Sequence, residues 1–133
     1  MKPTVNIVTG AVNAGKTARM RELFRQAAAA DGILSEKIFE KGGFRGYRLV
    51  HLQSGEMKEL ALIETEYHGQ FTEACRRGPF VFSAEAFRFG RDVMERLSAD
   101  PAVNTLFLDE AGLLELKGQG FAEVVPVMIR SGK

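Results

Sequence analysis

Tryptophan is absent from this sequence, and cysteine occurs once, at Cys75. A lone cysteine excludes an internal disulfide and fits a reducing compartment; its simplest role is a small, buried or half-buried apolar residue. Histidine is also scarce. His51 and His68 compose no zinc pattern with Cys75 and read as hairpin and loop residues rather than ligands. No apolar run approaches membrane-spanning length, and the opening stretch MKPTVNIVTG is too brief for a secretory signal. Neither sign of charge is in excess: 18 Lys and Arg against 17 Asp and Glu leave +1, with no global signal for nucleic acid or an anionic membrane. Repeats, low-complexity tracts and linkers are missing too. These absences point to a cytoplasmic protein. Its 133 residues, 45% hydrophobic and 26% charged, suffice for one domain, 1–133, with a buried core.

What is present begins at residues 10–17, GAVNAGKT: a glycine, four residues, then Gly-Lys-Thr. This is the phosphate-binding loop signature, and a chain this short shows it by chance with a probability of roughly half a per cent. Its context fits. The apolar run 4–9 (TVNIVT) suits a buried strand, and residues 17–30 are rich in helix formers. A strand, a glycine turn and a helix aim successive backbone N–H groups and a helix N-terminus at one point, which favours phosphate. Gly10 and Gly15 let the backbone approach closely. The expected nucleotide contacts are Gly10, Ala11, Val12, Asn13, Ala14, Gly15, Lys16, Thr17 and Ala18. Lys16 reaches the β- and γ-phosphates, and Thr17 offers its hydroxyl to Mg²⁺.

The rest of the chain alternates elements. The first helix should end near Asp31 and Gly32, with Gly32 as its cap, followed by a strand at 33–40. Three glycines at 42, 43 and 46 suggest a bend that enters a strand at 47–52. Residues 53–56 form a hairpin turn and 57–63 the returning arm, an antiparallel addition to a parallel sheet. Residues 64–78 lack a period and read as a loop with at most a short helical turn. A strand at 79–82 leads to Ser83, which caps a helix with Glu85 in its first turn; Ala86, Phe89, Gly90, Val93 and Leu97 share one face. Residues 100–101 (Asp-Pro) end that helix. A buried strand at 104–108 follows. Phe121, Val124, Val125, Met128 and Ile129 form a helical stripe, kinked or delayed by Pro126, with Gly132 suited to its cap.

The strand at 104–108 runs straight into Asp109 and Glu110. After a phosphate loop this looks like a Walker B element: Asp109 fits as the Mg²⁺ partner and Glu110 as the base that orients and deprotonates water. A cation for the transferred phosphoryl is expected as well. Arg45, inside the glycine-rich bend, is favoured over Arg48, Arg76, Arg77, Arg88, Arg91 and Arg130, which read as surface charges. Phe80, Phe82, Phe87 and Phe89 read as core.

In order along the chain, the loop at 10–17, the run Gly42, Gly43, Phe44, Arg45, Gly46, Tyr47, the hairpin, the segment 82–87 (FSAEAF) and residues 109–116 (DEAGLLEL) resemble the THEP-type nucleoside-triphosphatase family of P-loop proteins. That family usually reads Asp-Glu-Ile-Gly-Lys-Met-Glu-Leu at the last motif. Asp109, Glu110, Gly112, Glu115 and Leu116 keep the pattern, while Leu113 replaces the lysine. The resemblance implies an α/β fold, a RecA-like, mainly parallel sheet flanked by helices. It also implies Mg²⁺-dependent hydrolysis of nucleoside triphosphates, ATP and GTP among them, with broad base tolerance. In such folds a further strand inserts between the loop strand and the Walker B strand. This sequence stops before one, so a longer natural chain is expected.

The acid pair favours hydrolysis over a P-loop nucleotide or metabolite kinase, and over a nucleotide-dependent switch or accessory protein with little turnover. The residues indicate neither base preference nor oligomeric state.

Overall fold

Helix α1 (Lys16–Gln26) opens the region that the computed structural model describes, residues 16–108, 126 and 129–133. It ends at Gln26, earlier than its run of alanines predicts, and Ala29 takes a positive φ of 52°. The next strand, β1 (Ala30–Glu40), therefore begins three residues before its predicted start and contains Asp31 and Gly32. Gly32 is thus not a helix cap. The cause is tertiary: the Ala29 carbonyl accepts a hydrogen bond from the Asn104 N–H at 2.7 Å, and Ala30 to Ile33 pair with β6 (Thr105–Leu108). Helix propensity is only a few tenths of a kcal/mol per residue and yields to such pairing. Gly32 has a different use. A Cβ there would stand 2.1 Å from the Phe107 carbonyl oxygen, so glycine lets β6 close against β1.

A two-residue turn at 41–42 joins β1 to β2 (Gly43–His51), so the glycine-rich stretch is mostly strand rather than bend. Gly46 is buried where a Cβ would meet the Ala61 carbonyl oxygen at 2.0 Å, beside the register shift between Tyr47 and Arg48. The hairpin to β3 (Met57–Ile63) is as predicted, with Gly55 at φ +76° in its turn. Residues 64–78 hold more than a loop. After a short 3₁₀ turn (Glu64–Glu66) comes β4 (Ala74–Arg77), which pairs with β5 (Phe80–Ser83). As a largely exposed edge strand, β4 lacks the apolar alternation that betrays a strand in sequence.

Helix α2 (Ala84–Ala99) starts where Ser83 Oγ accepts the Ala86 N–H at 3.2 Å, the predicted cap. Gly132, with φ +78° and its N–H on the Ile129 carbonyl, fits its predicted capping place. Pro126 is helical.

The described strands form one mixed sheet in the order β4-β5-β3-β2-β1-β6. Only β1 and β6 run parallel among them; the other four pairings are antiparallel. The α/β class holds, but the described sheet is not mainly parallel, because two successive tight hairpins force antiparallel neighbours. The predicted loop strand at 4–9 and most of the last predicted helix lie outside the described residues. Side chains alternate across the sheet. Ile33 and Leu49 are fully buried with Val93, Met94 and Leu97 of α2. Burying each such side chain contributes about 1.5–3 kcal/mol. On the opposite face α1 packs through Phe24, whose ring meets Phe107 edge-on at 5.9 Å.

Candidate functional site

The sequence nominated residues 10–18 with Asp109 and Glu110. Residues 10–15, 109 and 110 lie outside the described residues. Lys16 is placed as the first residue of α1, and the described neighbourhood is that of Thr17 and Ala18, in the first turn of that helix. The Thr17 hydroxyl donates a long hydrogen bond, 3.4 Å, to the Ser35 carbonyl on β1. On the same strand, Ile33 pairs with Leu108, the last residue of β6. Two strand residues span about 7 Å. The first turn of α1 and the C-terminal end of β6 are therefore both referred to one short stretch of β1, residues 33–35.

Beyond the core residues Ile33 and Leu34 that stretch turns polar. Ser35 is buried, and its Oγ has no hydrogen-bond partner among the described residues. Unpaired buried hydroxyls are uncommon in native proteins. Next to it Glu36 takes both Arg48 Nε, at 2.9 Å, and Arg48 Nη2, at 2.6 Å, on one carboxylate oxygen, and Arg21 of α1 on the other. Partial burial raises the Glu36 pKa, but the hydrogen bonds and charges of Arg48 and Arg21 outweigh it and hold the carboxyl below its ordinary 4.5. Sequence reading does not single out Ser35 or Glu36. The available signal is helical spacing, since Arg21 stands one turn from Thr17.

Arg45, the favoured cation, sits four residues along β2 from Leu49, the partner of Ser35, or about 13 Å of strand. It is largely covered and ion-paired with Glu59 at 2.5 Å and Glu40 at 3.7 Å. Arg76 and Arg88 pair with Glu64 and Glu73 on the surface. Cys75 is a free, half-buried thiol, and the four nominated phenylalanines pack partly buried against the core, as predicted. Among the described residues no three His, Cys, Asp or Glu side chains are grouped as a metal would need, and no helix is long and apolar enough to cross a membrane.

One constellation was not legible beforehand. His51 Nε2 lies 2.9 Å from Asp31 Oδ2, and Ser54 Oγ lies 2.8 Å from His51 Nδ1. These are the atoms of a nucleophilic triad, but their other bonds give them a different task. Asp31 Oδ1 accepts the N–H groups of Gly32 and Gln53, and Ser54 Oγ accepts that of Glu56. Asp31 and Ser54 are tied to backbone and His51 bridges them, so together they fasten the β2–β3 turn to the start of β1.

The sequence matches the family described as NTPase over residues 6–133. It is 26% identical over 131 residues to the nucleoside-triphosphatase THEP1 of Pyrococcus abyssi (strain GE5 / Orsay), an alignment covering 95% of this chain and 68% of that protein. The fold is similar to the solution structure of a human cancer-related nucleoside triphosphatase, with a TM-score of 0.60 and 25% identity over 85% of this chain. The match takes in 61% of the human protein, so the chain spans less than two thirds of it.

Proposed function

Because this chain belongs to the NTPase family, we propose that it is a P-loop nucleoside-triphosphatase that hydrolyses ATP, GTP and related triphosphates to diphosphate and phosphate. The observation that carries the reading is the proximity on β1: the helix that closes the GAVNAGKT motif bonds Ser35 through Thr17, and the strand that precedes Asp109 and Glu110 ends beside Ile33, two residues away. A phosphate cup and an acidic strand end must lie close together to act on one polyphosphate.

In this reading residues 10–18 cradle the phosphates with backbone N–H groups, and Lys16 neutralises charge on the β- and γ-phosphates. Glu110 orients a water and takes its proton as the water oxygen bonds to the γ-phosphorus. The bond to the β–γ bridging oxygen breaks, and the diphosphate leaves. Thr17 and Asp109 are the groups that would hold Mg²⁺. Both are hard oxygen donors, and Mg²⁺ commonly takes only one or two protein ligands beside phosphate and water. When bound, the ion would supply charge stabilisation to the β- and γ-phosphates.

The test is phosphate release from ATP, GTP, CTP and UTP, each with and without Mg²⁺, on the full-length gene product. Mg²⁺-dependent release from several of them supports the proposal. Transfer to an added acceptor with no water-only turnover assigns a kinase instead.

A further inference from the structure

Three contacts of α1 fall at helical spacing on one face. Thr17 bonds the Ser35 carbonyl, Arg21 pairs with Glu36, and Phe24 packs edge-on against Phe107. The middle contact differs from the others, because Glu36 is also gripped by Arg48 from β2. One carboxylate thus joins three elements: the helix that carries Lys16 and Thr17, the strand that receives Thr17, and the hairpin beyond. It lies on the strand position next to Ser35. Its side chain is about one-quarter exposed, and that of Arg21 one-third, so solvent screens the bridge only in part. Arg48 meets a single carboxylate oxygen with two N–H groups and leaves the other oxygen to Arg21.

We propose that Glu36 is a positioning residue for the nucleotide site: through Arg21 it sets the register of α1 on β1, and so the placement of the helix's first turn against bound phosphates. This rests on the functional reading above. Phe24 anchors the far end of the helix and Thr17 holds the near end by one long bond; the charged contact between them fixes the register. A displacement of about 1 Å at a phosphate-binding group is enough to weaken its contacts strongly. Glu36 touches no reacting atom, so its loss acts on binding before chemistry.

The experiment has two arms. The first needs no nucleotide: amide hydrogen exchange on the unliganded protein, wild type against Glu36→Gln. Faster exchange in residues 16–26, with β3 unchanged, is expected; equal protection of α1 overturns the proposal. The second measures affinity for Mg-ADP and steady-state ATP hydrolysis. Glu36→Gln should raise Kd and KM about tenfold with kcat altered less than threefold, and Glu36→Asp should recover part of the loss. Arg21→Gln, which leaves the Arg48 contact in place, serves if Glu36→Gln does not fold. A folded Arg21→Gln protein with wild-type affinity and wild-type exchange in α1 overturns the proposal. If the wild type neither binds nor hydrolyses nucleotide, the functional reading falls, while the exchange arm still decides the clamp.

Discussion

The imidazole of His51 and the carboxylate of Asp31 are 2.9 Å apart and almost wholly buried, twenty residues apart in sequence. Ser54 Oγ stands 2.8 Å from the other ring nitrogen, so both imidazole nitrogens have a partner. Asp31→Ala would strand His51 Nε2 and the N–H groups of Gly32 and Gln53. An unpaired buried donor costs about 1–3 kcal/mol, so the variant should lose about 2 kcal/mol or more and melt several degrees lower. Denaturant titration of Asp31→Ala, His51→Ala and the double variant measures the coupling. Ser54→Ala, at the exposed turn, should cost far less, and its phosphate release should match wild type.

Glu36 gives the molecule a pH signature with a fixed sign. Its folded pKa lies below the ordinary 4.5, so its contribution is full above that value and is lost as pH falls through the folded pKa. Wild type should therefore exceed Glu36→Gln in stability at pH 7, and the gap should narrow steadily below about pH 4.5. Urea unfolding of both proteins from pH 7 down to pH 3 tests this. A gap that widens on acidification contradicts the ion-paired geometry.

Two adjacent stretches show how far the sequence reached. The β2–β3 hairpin was legible because apolar alternation flanks a Gly-containing turn, a local signal. The same rules misplaced the end of α1, because what stops it is remote: the Ala29 carbonyl is claimed by Asn104. The glycines at 43 and 46 read as a bend, yet Gly46 is a strand residue with Ala61 close against it. A glycine can signal flexibility or close approach, and only the neighbouring strand tells which. The candidate site divides in the same way. Thr17 was named from a contiguous motif, whereas Ser35 and Glu36 are brought beside it by strand register, which no local pattern encodes.

Gly46 supplies a direct check of that distinction. Gly46→Ala forces a Cβ onto the backbone oxygen of Ala61, which cannot rotate away as a side chain would. Overpacking of this kind costs typically about 1–3 kcal/mol. Gly42→Ala, where a Cβ meets nothing within 4 Å, should stay within about 0.5 kcal/mol of wild type. Equal melting temperatures for the two variants would argue against the strand register at Gly46.

Ser35 predicts the reverse of the usual buried-polar result. Its Oγ has no partner among the described residues, so Ser35→Ala discards an unrewarded hydroxyl and should leave stability unchanged or raise it by up to about 1 kcal/mol. Activity is then an independent readout. A folded, equally stable Ser35→Ala protein with reduced turnover would mean that the hydroxyl serves the reaction and not the core.

Under the proposed reading the acid pair and the loop lysine divide binding from chemistry. Lys16→Ala removes the charge expected on the β- and γ-phosphates, so nucleotide affinity and turnover should both collapse. Glu110→Gln keeps the shape and hydrogen-bonding reach of the side chain but cannot accept the proton of water. It should bind nucleotide near wild-type affinity and lose hydrolysis by about 100-fold or more, the scale of general-base catalysis. Asp109→Asn should instead weaken binding chiefly when Mg²⁺ is present. Measuring Mg-ADP affinity beside phosphate release for the three variants gives each residue its own signature. Unchanged phosphate release from Glu110→Gln would remove Glu110 from the mechanism while leaving the phosphate loop in place.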